Sequence, residues 1–332
     1  MNNQAMKFTR LHKDSERLLA AFVAILIVYG AVIGLSSRES NSSTDLVDEK
    51  LSSALTQKRL DVYTQITSVD PLRGEAHARI EPWPLDESLG YQYRSGWMPK
   101  RDISLHVDAV IGSSPNADNL YIFKKDLPTG GVDVALDERS GSASSNISRY
   151  PFDTYTFEVP MSASFTDDAG DSQDLAILPQ DYTKAIDTFH VTMKHVLWTD
   201  SNRVVKAEDK ASIDAAVSEY ETGLSSSVFD VTRSSSTKLL TLIILILMLV
   251  GLSSVVTMTL MVASGKRPPT LSALTWAAAL TFSLIGLRGL FPGAPPVGIL
   301  IDKIFYFPTL LITLVCSLSI LITWTRRDDY AA

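Results

Sequence analysis

The chain has 332 residues, of which 45% are hydrophobic, and carries a formal net charge of −7. That length allows two or three ordinary domains, but the apolar residues are concentrated in a few blocks, which excludes a uniformly soluble chain. The single cysteine, Cys316, excludes an intrachain disulfide and a thiolate metal site.

Four apolar blocks, at 18–35, 239–262, 270–291 and 304–324, are nearly free of charge. Each is long enough to cross the roughly 30 Å hydrocarbon core at about 1.5 Å per residue. The expected fold class is a mixed membrane protein. Four transmembrane α-helices would accompany an extracytoplasmic, antiparallel β-sandwich-like domain.

Residues 1–17 carry Lys7, Arg10, Lys13 and Arg17 and are expected to stay in the cytoplasm. The first block then acts as an uncleaved signal anchor; the alternative is a signal peptide, for which residues 32–35 offer a poor cleavage site. Alternation of the spans puts Lys266 and Arg267, and Arg326 and Arg327, on the cytoplasmic side, in agreement with the positive-inside rule. The C-terminus, 325–332, is therefore cytoplasmic, and residues 36–237 lie outside the cell membrane. That outer stretch holds 19 Lys and Arg against 32 Asp and Glu. So acidic a surface is a poor match for nucleic acid or for anionic lipid headgroups.

Residues 36–50 are polar and Ser-rich and are expected to form a linker to a β-rich domain over 51–237. Within that domain Ile103, Leu105, Val107 and Ala109 alternate with polar residues, as do Val132, Val134 and Leu136, and Phe189, Val191 and Met193. Period-two patterns of this kind predict strands with one solvated face. Turn-forming residues at 112–116, 128–131 and 140–144 separate them, which points to a two-sheet domain. Residues 210–221 predict a short helix, and 227–232 a last strand leading into the second span.

No nucleophile elbow, P-loop or dinucleotide fingerprint occurs, so no enzymatic activity and no cofactor are expected. The histidines lack metal-ligand spacing; His190 and His195 fall on opposite faces of a strand and are expected on its polar surface. Asp167, Asp168, Asp171 and Asp174 are compatible with calcium, but lack the EF-hand order and predict a solvated hairpin loop. Asn41 and Asn146 begin glycosylation sequons.

Between the last two spans, the outer loop 292–303 is apolar and stiffened by Pro292, Pro295 and Pro296, so it is expected to pack against the headgroup region or the underside of the outer domain. Arg288 and Asp302 flank it at the interface and are expected to pair across the hairpin. Ser272, Thr275, Thr281 and Ser283 mark the third span as a face for helix packing or for a wet path. The turn Tyr150-Pro151-Phe152-Asp153 interrupts the β pattern. Its expected counterpart is the outer loop around Pro295 and Pro296, with Phe152 packed between domain and helices and Asp153 capping the turn or meeting a cation.

The motif Tyr150-Pro-Phe-Asp-Thr-Tyr155, with Arg288, the Pro292–Gly298 loop and Asp302, resembles the membrane proteins grouped as domain of unknown function 4436. That resemblance would run from the first span to the last and implies the architecture but no activity. A more distant likeness is to the pentameric ligand-gated ion channels. Pro151-Phe152-Asp153 looks like the turn at the base of their β-sandwich, and 295–302 looks like their outer helix-to-helix loop. By that likeness the third span, with Leu280 and Thr281, would resemble a pore helix; the extra N-terminal span, and three spans after the domain instead of four, depart from it. The leading expectation is a non-enzymatic envelope scaffold or partner-binding module. The alternative is an oligomeric channel or receptor. The expected partners are the lipid bilayer and a second copy or other membrane proteins, not nucleic acid.

Overall fold

The computed structural model describes residues 41–55, 58–84, 86–93, 96–108, 119–138, 147–183, 186 and 188–326. The first expected span, 18–35, and both chain ends lie outside the described residues, as does Asn146. Among the described residues three helices, not four, are long and apolar enough to cross a membrane.

The described residues open with helix α1 (Asn41–Ala54) and include twelve strands: β1 (Arg59–Asp70), β2 (Glu75–Trp83), β3 (Gly90–Tyr93), β4 (Gly96–Pro99), β5 (Ile103–Val107), β6 (Leu120–Phe123), β7 (Val132–Asp137), β8 (Thr154–Thr166), β9 (Ser172–Asp174), β10 (Ala176–Asp181), β11 (Phe189–Val196) and β12 (Leu224–Arg233). Helix α2 (Lys210–Glu221) separates the last two, in the range its sequence predicts. One large sheet has the order β10-β1-β2-β7, the other β11-β12-β8-β5-β6 with β9 appended to β8, and β3 pairs with β4 in a separate two-stranded sheet. The two large sheets face each other. Leu60, Val62, Ala78, Ile80 and Leu136 from the first meet Leu105, Phe157, Val159, Met161 and Phe229 from the second in one core.

The inward positions of the predicted strands behave as their period requires: Ile103, Leu105, Val107, Val134, Leu136, Phe189 and Met193 are buried. The sandwich is therefore present, with one correction: β1 and β10 run parallel, register Arg59 to Ala176. Parallel pairing needs a long crossover, and the whole of β2 to β9 supplies it.

The expected 36–50 linker is also corrected. Most of it is helix α1, whose Val47 and Leu51, with Leu55 just past its end, recur at i, i+4 and i+8 and bury against Leu178, Ile213, Ala216 and Tyr220. The two helices cover the outer face of β10, β11 and β12, which is why residues 225–229 of β12 are buried on both faces. His195 belongs to this second core. Its Nδ1 lies 3.1 Å from the Tyr220 hydroxyl and its Nε2 bonds to Asp48 of α1. It is thus not a solvated histidine, whereas His190 on the opposite face is exposed.

β12 ends at Arg233 and helix α3 (Ser235–Ala263) begins two residues later, with Ser234 as its N-cap accepting from the Thr237 N–H. Helix α4 (Leu271–Gly289) returns, capped by Thr270. After an irregular loop, a π-helical turn (Asp302–Tyr306) leads into helix α5 (Phe307–Thr325). The helices differ from the predicted spans by a few residues: α3 starts four residues earlier and ends one later than 239–262, α4 is shorter than 270–291 by one residue at its start and two at its end, and α5 with its π-helical turn covers 302–325 against the predicted 304–324.

Truncating Leu51 removes a fully buried side chain from the apolar layer that packs α1 against α2. Leu51→Ala is expected to cost about 2–5 kcal/mol, read as a lower unfolding midpoint of the full chain in mild detergent. Leu46→Ala, at an exposed position of the same helix, is expected to stay within about 0.5 kcal/mol.

Candidate functional site at the sandwich and helix junction

The pairing of β8 with β12 sets Thr154 opposite Thr232 and Tyr155 opposite Val231. Carried one residue further, this register brings Asp153 opposite Arg233. On the other side of β12, Phe189 of β11 stands opposite the same arginine. The period of a strand places Arg233 in line with Phe229 and Val231, and Asp153 in line with Tyr155 and Phe157; all four apolar residues belong to the core. Two core-facing rows thus end in an acid and a base at the point where the chain leaves the sandwich.

Both charges are buried, Asp153 at 1% and Arg233 at 2% exposure. Arg233 Nε donates to both carboxylate oxygens of Asp153, at 3.1 and 3.0 Å. Asp153 Oδ2 also accepts from the Tyr155 hydroxyl at 2.8 Å. The guanidinium lies 4.2 Å from the Phe189 ring centroid and 5.1 Å from that of Tyr150. A desolvated cation over an aromatic face gains on the order of 2 kcal/mol, and a flat guanidinium fits between two rings as an ammonium does not. Burial of such a pair adds little net stability, but losing one partner costs about 3–5 kcal/mol because the other charge is stranded. The pair is therefore a strong constraint on geometry.

Helix-side contacts complete the cage. Gly293, after α4, has φ of 73°, and a Cβ there would lie 2.8 Å from Arg233 Nη1; only a residue without a side chain lets the loop approach this closely. Tyr150 is buried, its hydroxyl donating to the Pro292 carbonyl at 3.0 Å and lying 2.9 Å from Thr241 Oγ1 on α3. Its ring packs 6.1 Å from Phe291, in an apolar cluster with Ile244, Met248, Leu284 and Ile299 of the helical layer.

The outer loop folds around the second pair. Arg288 Nη2 reaches Asp302 Oδ2 at 3.0 Å and donates to the carbonyl oxygens of Pro295 and Pro296, both at 2.9 Å. Asp302 also accepts from the Gly298 N–H at 2.8 Å. The Arg288 guanidinium stands 5.7 Å from the Phe291 ring. A continuous chain of contacts therefore runs Asp153, Arg233, Tyr150, Phe291, Arg288, Asp302 from sandwich to helices.

Of the residues expected here, Tyr150, Asp153, Arg288 and Asp302 fall into this chain, and Asp153 does meet a cation. Phe152 does not pack at the junction: it is 60% exposed, because the turn directs Tyr150 inward in its place. The Tyr150–Pro151 peptide bond is cis. The carbonyl oxygens of Pro295 and Pro296 accept from Arg288, while Tyr150 of the turn meets Phe291 and Pro292, and Gly293 meets Arg233. Sequence reasoning missed Arg233 as a site residue. The available signal was its place on the inward period of β12, where a charge needs a partner.

Burial pushes the Tyr155 phenol far above its usual range, and the neighbouring Asp153 carboxylate adds to the shift; burial likewise raises Tyr150. Both stay neutral donors at physiological pH. Elsewhere, the acidic stretch after β8 forms the expected hairpin loop, with Asp167 accepting from the N–H groups of Ala169 and Asp171 and Asp168 paired to Arg101. No group of three metal-ligating side chains occurs among the described residues.

Gly293→Ala is expected to lower the stability of the full chain by about 1–3 kcal/mol, through both the positive φ and the displaced guanidinium. Gly286→Ala, where nothing lies within 4 Å, is expected to leave it unchanged or slightly raised. Thermal unfolding in mild detergent compares the two.

Residues 51–215 match the family model of a domain of unknown function, DUF4436, and residues 233–327 match that of a second domain of unknown function, DUF8686. The first match covers the sandwich without the last strand, and not the whole chain as the resemblance implied. Asp153 lies in the first match and Arg233 opens the second, so the buried pair joins the two. No curated protein matches the chain. With its Tyr150-Pro-Phe-Asp153 turn inside the matched span, the chain belongs to the DUF4436 family.

Proposed function

We propose that this is a non-enzymatic integral membrane scaffold, which holds a partner-binding β-sandwich in one fixed orientation against the bilayer. The observation that carries this reading is the buried chain of contacts from Asp153 through Arg233, Tyr150 and Phe291 to Arg288 and Asp302. A module tethered only to gain local concentration needs a flexible linker; here strand β12 passes into α3 through a single capping residue. In the proposed topology the sandwich is extracytoplasmic, α3 to α5 are spans, and both chain termini are cytoplasmic. The side offered to a partner is the edge strand β6, which pairs only with β5 among the described residues and exposes Leu120 and Ile122, with Leu127 beyond it. Unpaired apolar edges of this kind accept an added strand from another chain.

A second reading, an oligomeric channel or receptor, draws support from the Pro151-Phe152-Asp153 turn lying at the junction and from the exposed hydroxyls of Ser272, Thr275 and Ser283 on α4. A symmetric oligomer that conducts in planar bilayers would favour it; a non-conducting monomer would remove it.

The scaffold reading is tested by pulsed electron–electron distance measurement on the reconstituted full chain, with Cys316 replaced by Ser and spin labels at exposed Leu72 and Arg326. One narrow distance distribution is expected, broadening in Asp153→Ala. A broad distribution in the parent protein would contradict a fixed orientation.

A further inference from the structure

At the end of the helical layer away from the sandwich, the last turns of α3, the turn 264–270 and the start of α4 enclose a cavity of about 570 Å³. That is within the size range of small-molecule sites. Arg267 stands at its rim, Ser253, Thr257 and Thr270 supply hydroxyls, and Met261 and Trp276 give it an apolar wall. We infer that this cavity binds the headgroup of an anionic, hydroxyl-bearing phospholipid of the phosphatidylglycerol class.

Three features carry the assignment. The first is charge: Arg267 is exposed, has no side-chain partner among the described residues, and adjoins Lys266 and the N-terminus of the 19-residue α4. A single phosphodiester meets all of these at once. The second is hydroxyl polarity. Thr257 and Ser253 donate their own protons to the carbonyls of Ser253 and Val250 within α3, at 2.7 and 2.9 Å. Each is left with lone pairs only, so it accepts a hydrogen bond from the ligand, which a glycerol headgroup supplies and a bare phosphate ester does not. The third is depth. Helix α3 has 29 residues, about 44 Å, which exceeds the roughly 30 Å hydrocarbon core. Its C-terminal turns therefore reach the headgroup boundary, and Trp276, near the start of α4, is placed close to it as interfacial aromatic residues are. Met261 and Trp276, each 41% exposed, then line the path for the glycerol backbone and acyl chains.

This inference depends on α3 to α5 lying in a bilayer, which incorporation of the full chain into phosphatidylcholine nanodiscs tests separately. Lipid binding is read by native mass spectrometry of the full chain released from micelles containing equal phosphatidylglycerol, phosphatidylcholine and phosphatidic acid. The parent protein is expected to retain one phosphatidylglycerol in preference to both others. Arg267→Gln is expected to lower the preference over phosphatidylcholine roughly five- to tenfold, and Thr257→Val to lower the preference over phosphatidic acid. Arg326→Gln, a cation at the same end that does not line the cavity, is expected to change neither. Should Arg267→Gln fail to fold, Thr257→Val carries the test alone. Equal retention of all three lipids, unchanged selectivity in both cavity variants, or displacement of the lipid by inorganic phosphate would overturn the assignment.

Discussion

An arginine that closes the last strand of the sandwich has nowhere to put its charge except against Asp153, and the geometry of the molecule follows from that constraint. Register decides the meeting: β8 starts and β12 ends at the same level, so the acid and the base extend the ladder by one more pair. Because β12 passes almost directly into α3, the arginine is also the first fixed point of the helical layer. The loop after α4 must therefore come close enough to seal the guanidinium, and Gly293 is the residue that allows it. Moving any one element away would expose a charge to a half-apolar surface, a cost of several kcal/mol.

The second ion pair does for the loop what the first does for the strands. Arg288 gathers the Pro295 and Pro296 carbonyls and the Asp302 carboxylate into one knot, giving an apolar loop a defined shape without regular structure. Phe291 sits between the two pairs, against Tyr150 on one side and the Arg288 guanidinium on the other. Charge and aromatic faces alternate along the junction, so the layers are matched by directional contacts and not by hydrophobic burial alone. On the outer face of β10, β11 and β12, α1 is held by apolar burial and by the bond from Asp48 to His195.

Much of this was legible from pattern. Period two found the inward rows of β5, β7 and β11, and apolar length found the three long apolar helices among the described residues, because both signals are local. Helix α2 was legible for the same reason. What was lost depends on tertiary context. Helix α1 hides Val47 and Leu51, with Leu55 just past its end, among serines and acids, so its apolar stripe is thin and its burial is visible only once α2 is opposite it. Phe152 looked like the buried member of its turn because it is the more apolar of the two aromatic residues, yet the turn directs Tyr150 inward, where its hydroxyl finds Pro292 and Thr241. Arg233 was readable in principle, since continuing the row Phe229, Val231 places a charge in the core. Naming Asp153 as its partner required the strand register, which a single sequence does not state. The parallel pairing of β1 and β10 was likewise outside what alternation encodes.

The most direct test of this account is a double-mutant cycle on Asp153→Ala and Arg233→Ala in the full chain, with unfolding free energy as the readout. Each single variant strands the other charge, so the double variant is expected to lose much less than the sum, with a coupling of at least about 2 kcal/mol. Additive losses, with a coupling below about 0.5 kcal/mol, would mean that the two side chains do not hold the sandwich to the helices.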